Sequence, residues 1–234
     1  MGFIKSGEFR EGREKENFFK LEDDGDIKLV RILCKNIESV PVVTYHIKEV
    51  DGYSRKVSCL RDSYDDPISK CPLCKSNDRS TARKYLQLLV YETDKNGVPV
   101  EGKEPELQIW DRGKRFVDKI KSIQARLERK GKALCDVLFD IERIGKKNST
   151  DTTYELYERT DLEADKYSFE LPEEFYNPIG KSIFDYTFEE LTNILEGKPL
   201  EDEGVEKRGE EKEPEQTYER KEETNEYRRG TRRL

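Results

Sequence analysis

Residues 40–59 read VPVVTYHIKEVDGYSRKVSC, two runs rich in β-branched and aromatic residues with Asp51-Gly52 between them. Such runs joined by Asp-Gly are typical of a β-hairpin with a two-residue turn. A turn of this length places His46 opposite Val57 on the neighbouring strand. Cys59 comes two residues after Val57, so we expect its side chain on the same face of the hairpin as that of His46.

His46 and Cys59 begin a longer pattern, H-x12-C-x11-C-x2-C, which Cys71 and Cys74 of a CPLC segment complete. His46 is the only histidine of the chain. One imidazole and three thiolates form a complete tetrahedral ligand set for zinc and leave no position for a reacting water. The pattern therefore predicts one structural Zn2+ bound by these four side chains.

Two other chemistries use a Cys-x-x-Cys segment. A redox-active dithiol is expected within a βαβ pattern, which does not surround Cys71 and Cys74, and a disulfide is expected in a secreted chain. The remaining cysteines, Cys34 and Cys135, adjoin apolar runs and are predicted to be small buried hydrophobic residues. The only histidine is assigned to the metal, and no Walker or dinucleotide-binding glycine motif is present, so we predict that the chain is not an enzyme.

The chain has 234 residues, of which 33% are hydrophobic and 41% are charged. This length suggests one domain with appendages. Because so many residues are charged, a hydrophobic core can form only if the charged residues are concentrated in tails and on one face of the domain. No apolar run approaches the roughly 20 residues of a membrane span, and residues 1–16 lack the apolar stretch of a signal peptide. We therefore expect no membrane association and a reducing cytoplasm, where metal-bound thiols fit best.

Five further segments have the composition of short strands bounded by turn residues. These segments are 26–33, 84–93, 107–110, 136–144 and 153–159. Apolar residues at helical spacing from Phe116 to Leu127 predict an amphipathic helix that ends at Gly131. Thr187 and Glu190 form the capping box of a second helix in the C-terminal third of the chain.

Short strands with one helix inserted before the last pair predict a mainly β protein with some α structure. The fold class that we expect is an OB-fold-like five-stranded barrel with an inserted zinc subdomain and C-terminal helices. The predicted organisation is a charged arm over residues 1–20, an OB-fold core over 21–160 with the zinc subdomain at about 40–80, a helical C-terminal part of the core over 161–200, and a disordered charged tail over 201–234.

The formal net charge of −7 argues at first against a nucleic-acid partner, but the charge is unevenly distributed. Residues 112–132 contain nine lysines and arginines and only two acidic residues, Asp118 and Glu128. Residues 201–234 contain twelve acidic and nine basic residues. Because exposed charges farther apart than about 10 Å are largely screened in salt, a local basic surface can dominate binding.

Basic and aromatic residues are interleaved in several segments. Single-stranded nucleic acid is bound by a positive groove for the phosphates and by aromatic faces for the bases, in a largely sequence-tolerant way. The pattern therefore predicts such a site. Its segments are Arg83-Lys84-Tyr85, the stretch from Trp110 to Phe116 with Arg112, Lys114 and Arg115, the predicted hairpin tip Lys146-Lys147 followed by Tyr154, and Tyr64 in the metal loop.

Over roughly residues 18–196, the sequence resembles the zinc-containing single-stranded DNA-binding, or helix-destabilising, proteins of tailed bacteriophages of the T-even type. The order of the four metal ligands, with twelve residues between His46 and Cys59, matches that family. Residues 24–33 (DGDIKLVRIL) resemble its first strand, with Arg31 in a matching position. Residues 110–120 (WDRGKRFVDKI) resemble its aromatic strand and basic helix, and the PEEFY and FEELTNIL segments resemble its C-terminal core helices.

The resemblance implies an OB-fold with a zinc subdomain and a DNA strand in the cleft between them. It also implies protection of single strands in DNA replication, recombination and repair, in the cytoplasm of an infected bacterial host. Protein partners would bind through residues 201–234, and the chain would self-associate on DNA. The DNA-binding residues that we predict are Arg31, Tyr64, Arg83, Lys84, Tyr85, Trp110, Arg112, Lys114, Arg115, Lys146, Lys147 and Tyr154.

Two features depart from this family. Its N-terminal arm is basic and drives cooperative binding, whereas Lys5, Arg10, Arg13 and Lys15 are interrupted here by glutamates. The tail has no acidic residue after Glu226 and ends in RRGTRRL. Two alternative functions also stay open: a zinc-stabilised adaptor module in a replication or transcription complex, and a binder of single-stranded RNA, since stacking platforms accept either sugar.

Overall fold

A computed structural model of the chain describes residues 17–50, 52–63, 65–147 and 151–198. The predicted tail over 201–234 lies outside these residues, as does the predicted arm except for residues 17–20. No helix in the described ranges is both long enough and apolar enough to cross a membrane.

Seven antiparallel strands form one sheet, and the prediction of a mainly β protein with few helices is confirmed. The strands are β1 (Ile27–Ile32), β2 (Val42–Val50), β3 (Tyr53–Ser58), β4 (Ser80–Tyr91), β5 (Glu106–Arg112), β6 (Phe139–Ile144) and β7 (Thr153–Glu158). Every segment predicted as a strand overlaps one, although β4 and β5 begin earlier than predicted. The α-helices are α1 (Pro72–Lys75), α2 (Lys114–Glu128) and α3 (Phe188–Leu195).

The hairpin of β2 and β3 has the register that its Asp-Gly turn predicts. Val50 lies opposite Tyr53, and His46 lies opposite Val57. Because a slip by one residue would turn His46 to the other face of the ribbon, this register decides where the imidazole points.

The long strand β4 connects all parts of the sheet. The first half of one edge pairs with β2, where Val42 faces Lys84, and the second half of that edge pairs with β1, where Leu29 faces Tyr91. The other edge pairs with β5. Strand β1 continues the sheet to β6 and then to β7.

The sheet does not close into the predicted five-stranded barrel among the described residues, because no hydrogen-bonded ladder joins β5 to β7. Large side chains fill the space between these two strands. The rings of Trp110 on β5 and Tyr154 on β7 meet edge to face at a centroid distance of 5.5 Å. The two strands therefore meet through side chains, and the backbones stay apart.

Helix α2 supplies one side of the main core. Val117, Ile120, Ile123 and Leu127 are buried at helical spacing, and each such side chain contributes about 1.5–3 kcal/mol on burial. The helix ends at Glu128, and Gly131 follows with the left-handed φ of +73° that a helix terminus often needs.

The C-terminal part of the described chain contains one short α-helix, fewer than predicted. Thr187 and Glu190 form the predicted capping box of α3. The segment PEEFY, residues 172–176, is irregular and not helical. Pro178 disfavours a helical backbone at the residue before it, so a helix that began at Pro172 would span about five residues, too few to be stable on its own.

Candidate functional site

The four side chains predicted as metal ligands lie together. Nε2 of His46 is 3.7 Å from Sγ of Cys71 and 3.6 Å from Sγ of Cys74, and Sγ of Cys59 is 3.6 Å from Sγ of Cys74. All four donor atoms lie within 4.8 Å of one another. In a tetrahedral site with bonds of about 2.0–2.3 Å, ligand atoms lie roughly 3.4–3.8 Å apart. The prediction of a His/Cys3 cluster able to hold a metal ion is therefore confirmed.

Local backbone structure explains how the ligands meet. His46 is in the middle of β2, and Cys59 directly follows β3, where its amide donates to the carbonyl of Thr44 at 3.0 Å. Cys71 precedes α1 and Cys74 lies within it, so one short turn directs both thiols to the same point. The chain then leaves the helix through Asn77, which has a left-handed φ of +62°.

The surroundings of the cluster favour the ligand forms of its side chains. Burial lowers the pKa of the His46 imidazole, so that it is neutral at physiological pH, as a ligand must be. Burial of the Cys71 thiol opposes ionisation, but backbone hydrogen bonds, first from Cys74 and Leu60, leave its pKa below the usual value. Burial raises the pKa of the Cys59 thiol to about 12. A metal cation bound among these sulfurs would stabilise the Cys59 thiolate and so displace its proton.

The cysteines that are not ligands also follow the prediction. Cys34 and Cys135 are buried outside the cluster, and burial raises the pKa of both thiols. The five cysteines are free thiols in the structure. The cluster thus has no covalent competitor for its ligands.

A small apolar core supports the metal cluster. Val57 of the hairpin, Leu73 of α1 and Leu191 of α3 are fully buried against one another. The carboxylate of Asp185 accepts a hydrogen bond of 2.8 Å from the hydroxyl of Ser58. The hairpin, the CPLC turn and the last helix therefore form one unit, which we call the metal lobe.

A basic groove adjoins the metal lobe, because its first wall begins at Arg79, next to the β4 residue that pairs with His46. The opposite wall consists of the end of β5, the first turn of α2 and the start of β7. Among the residues that line the groove, the only acidic one is Glu155. The basic residues that line it are Arg79, Arg83, Arg112, Lys114, Arg115 and Lys119.

Arg112 lies at the base of the groove among aromatic rings. Its guanidinium is 4.0 Å from the ring centroid of Trp110, 4.4 Å from that of Tyr154 and 5.6 Å from that of Phe116. Burial lowers the pKa of Arg112, yet the group keeps its charge because a guanidinium is not deprotonated in proteins. Among the described residues, the Nε atoms of Arg83 and Arg112 have no hydrogen-bond partner.

The first turn of α2 adds to the positive potential of the groove. The helix starts after Gly113 without a side-chain cap, and its first two residues are Lys114 and Arg115. Cations at this end oppose the helix dipole, whereas an anion there would be stabilised by the dipole and by unpaired backbone amides. This turn therefore favours a phosphate in the groove.

Five of the predicted DNA-binding residues line the groove: Arg83, Arg112, Lys114, Arg115 and Tyr154. Lys146 and Lys147 are exposed at the tip between β6 and β7. Tyr64 lies outside the described residues.

Two of the predicted aromatic residues are buried. Trp110 is 2% exposed, and its ring packs against those of Phe19, Phe116 and Tyr154. Tyr85 is on the other face of the sheet, where its ring lies 5.9 Å from that of Tyr176. Neither ring presents a free face to a base in this structure, so we revise both from stacking platforms to packing residues.

Two of the predicted basic residues are buried as well. Arg31 is 1% exposed and donates to Tyr91 Oη and to the carbonyls of Cys135 and Ala164. Nζ of Lys84 donates to the carbonyl oxygens of the turn at residues 37–40. Both cations satisfy backbone acceptors inside the domain, and we revise their role from DNA contact to structural.

Three basic or aromatic groove residues, Arg79, Phe116 and Lys119, were absent from the predicted set of DNA-binding residues. Arg79 and Arg83 are four residues apart, an even spacing that places both on one face of an extended chain. Phe116 and Lys119 are three residues apart on α2, which places them on one helix face. Extending the two recognised segments by these periodicities would have found all three.

No protein-family model matches this chain, and no curated protein is similar to it in sequence. The assignment of a function therefore depends on the chemistry of the groove and of the metal cluster.

Proposed function

We propose that the chain is a non-enzymatic, sequence-nonspecific single-stranded DNA-binding protein whose DNA strand lies in the basic groove. The observation that carries this proposal is the lining of the groove, with six basic residues against one acidic residue. Phe116 and Tyr154 line the groove beside Arg112 and are only partly buried, so part of each ring is accessible to a base. Cations for phosphates next to aromatic surfaces for bases are the elements of a single-strand site.

The strand order supports an OB-fold-like architecture. Strands β1 and β2 pair with successive halves of one edge of β4, as one interrupted strand would. The order β5-β4-β1-β6-β7, with α2 between β5 and β6, then matches a partly open five-stranded barrel in which the metal lobe is an insertion. OB-folds bind oligonucleotides on strands 2 and 3 and with the loops after strands 1 and 4. The groove is lined by β4, β5, residue Arg79 at the end of the connection from the metal lobe, and the start of β7 with the connection before it, which correspond to these parts.

We assign Zn2+ to the His/Cys3 cluster, because imidazole and thiolate ligands in a closed tetrahedral set are typical of structural zinc sites. His46 pairs with Ser80 across the sheet, so the metal ligands and the groove wall from Arg79 to Arg83 share one ladder. The ion would fix this wall and take no part in chemistry.

The resemblance to helix-destabilising phage proteins supports a biological setting for this activity. In that setting, the protein coats single strands during phage DNA replication, recombination and repair in the cytoplasm of an infected bacterium. Protein partners would bind through residues 201–234.

The exposed cations at the start of α2 provide a direct test. We expect the double variant Lys114→Gln/Arg115→Gln to bind oligo(dT) roughly tenfold more weakly near 0.15 M salt, with a salt slope smaller by about 1.4, because two phosphate contacts are lost. Fluorescence titration at several salt concentrations measures both quantities. The free energy of unfolding should change by less than about 0.5 kcal/mol, because the loss of the exposed Lys114–Asp118 ion pair at 2.7 Å opposes the relief of an unfavourable dipole interaction.

The matched control is Arg126→Gln/Arg129→Gln, which removes the same charge from exposed positions at the other end of the helix. This control should bind oligo(dT) as the wild-type chain does, within about twofold. Equal losses in both double variants would mean that overall charge, and not the groove, determines binding, and would contradict the proposal.

A further inference from the structure

A second depression lies beside the basic groove and shares Thr152 and Tyr154 with it as a common wall. The charged residues that line this depression are three basic ones, Lys20, Arg143 and Lys147, and one acidic one, Glu22. Lys20 comes from the segment before β1, Arg143 from β6, and Lys147 from the tip after β6. Positive charge therefore continues beyond Tyr154.

Arg143 is held in place by four neutral hydrogen-bond acceptors. Its Nη1 donates to the carbonyl of Leu21 at 3.3 Å and to Tyr154 Oη at 3.4 Å. Its Nη2 donates to the carbonyl of Lys146 at 3.2 Å and to Thr152 Oγ1 at 3.1 Å. All four acceptors are neutral, and its buried Nε has no hydrogen-bond partner among the described residues. The guanidinium is thus preorganised by contacts whose acceptors carry no charge.

Tyr154 lies between two guanidinium groups. Arg112 on the groove side is 4.4 Å from its ring centroid, and Arg143 on the other side donates to its hydroxyl. Within the described residues that line the depression, Lys147 and Glu22 form an ion pair at 3.6 Å, and both side chains are largely exposed. Such a pair is weak, and a phosphate can replace its carboxylate.

We propose that the depression is a second phosphate subsite, which a single strand enters after it leaves the basic groove across Tyr154. This inference rests on the proposed function and extends it. One phosphate group lies against Arg112 and the start of α2, and a later phosphate of the same strand lies against Lys147 and Lys20. The footprint of the protein is therefore longer than the groove alone.

The test compares oligonucleotide lengths in the full chain. We expect Lys20→Gln/Lys147→Gln to weaken binding of an oligo(dT) of about 16 nucleotides roughly tenfold and to reduce its salt slope by about 1.4. Binding of an oligo(dT) of about 4 nucleotides, which the groove alone can hold, should change less than about twofold. The matched control, Lys95→Gln/Lys166→Gln, removes the same charge from exposed lysines outside both depressions and should leave both affinities as in the wild-type chain.

The outcomes separate this subsite from the groove. Equal losses for the short and the long oligonucleotide, or no loss for either, would overturn the subsite while the groove proposal stands. A loss of the same size in the control variant would also overturn it. If the wild-type chain binds neither oligonucleotide, both the subsite and the proposed function are wrong.

Discussion

Replacing Cys71 with serine should abolish zinc binding and lower the free energy of unfolding by at least about 4 kcal/mol. Structural zinc contributes on the order of 10 kcal/mol to the folding of zinc-finger peptides. Because the ligands come together only in the folded chain, the free energy of zinc binding adds to the free energy of folding. The Cys71 thiol is fully buried in the same small core as Val57, Leu73 and Leu191. Loss of the ion should therefore loosen the hairpin, the CPLC turn and α3 together.

Elemental analysis and urea denaturation measure these two effects. Cys34→Ser is the matched control, because it makes the same substitution at a buried cysteine outside the cluster. The control should retain one zinc ion per chain and lose only the roughly 1–3 kcal/mol expected for a buried hydroxyl. If Cys71→Ser behaves as Cys34→Ser does, or if wild-type protein contains no zinc and its Cys71 and Cys74 react freely, the metal centre is wrong.

Replacing Arg31 with methionine should lower the free energy of unfolding by on the order of 4 kcal/mol. The buried guanidinium donates to four acceptors from three parts of the chain, namely Tyr91 Oη and the carbonyls of Cys135, Ala164 and Tyr167. A buried acceptor left without a donor costs about 1–3 kcal/mol. Lysine at this position should recover only part of the loss, since one ammonium cannot match the planar fork of arginine.

This substitution also distinguishes a structural role from the DNA contact that the sequence suggested. If Arg31 is structural, the folded Arg31→Met protein should bind oligo(dT) with wild-type affinity although its denaturation midpoint is lower. Lys28→Met, on the same strand, is the control and should cost less than about 1 kcal/mol, because Lys28 is partly exposed and its ammonium makes weak contacts, such as that with the Phe19 ring at 5.6 Å. Wild-type stability with weakened DNA binding in Arg31→Met would contradict the structural role.

The metal cluster was predictable because its information is local. The Asp-Gly turn sets the register of His46 against Val57, and a spacing of two residues brings Cys59 to the same face. The CPLC turn is compact enough to present Cys71 and Cys74 together. None of these steps needs knowledge of contacts far away in the chain.

The burial of several predicted site residues was not predictable, because it depends on contacts between distant parts of the chain. Alternation along β4 and β5 shows that Trp110 and Leu86 share a face, but not that this face becomes the interior. The buried guanidinium of Arg31 donates hydrogen bonds to carbonyls of residues that come more than a hundred positions later in the chain. Charged residues are usually exposed, so the sequence alone favoured a surface role for Arg31 and Lys84.

Composition was enough to predict the strands, but it did not predict that β5 and β7 meet through side chains without backbone pairing. Each strand has the β-branched and aromatic residues that its conformation favours. Whether two strands pair depends on what lies between them, and here Trp110, Phe116 and Tyr154 pack there against one another. The packing of three large rings is a tertiary property that strand patterns do not contain.

The most direct test of the central claim is titration of the full-length wild-type protein with oligo(dT), oligo(U) and duplex DNA of equal length at several salt concentrations. We predict tighter binding of oligo(dT) than of the duplex, with affinity falling steeply as salt rises, by a slope near −0.7 for each phosphate neutralised. Tighter binding of oligo(U) than of oligo(dT) would make the protein an RNA binder instead. Duplex binding as tight as oligo(dT) binding, or an affinity that does not depend on salt, would contradict the account.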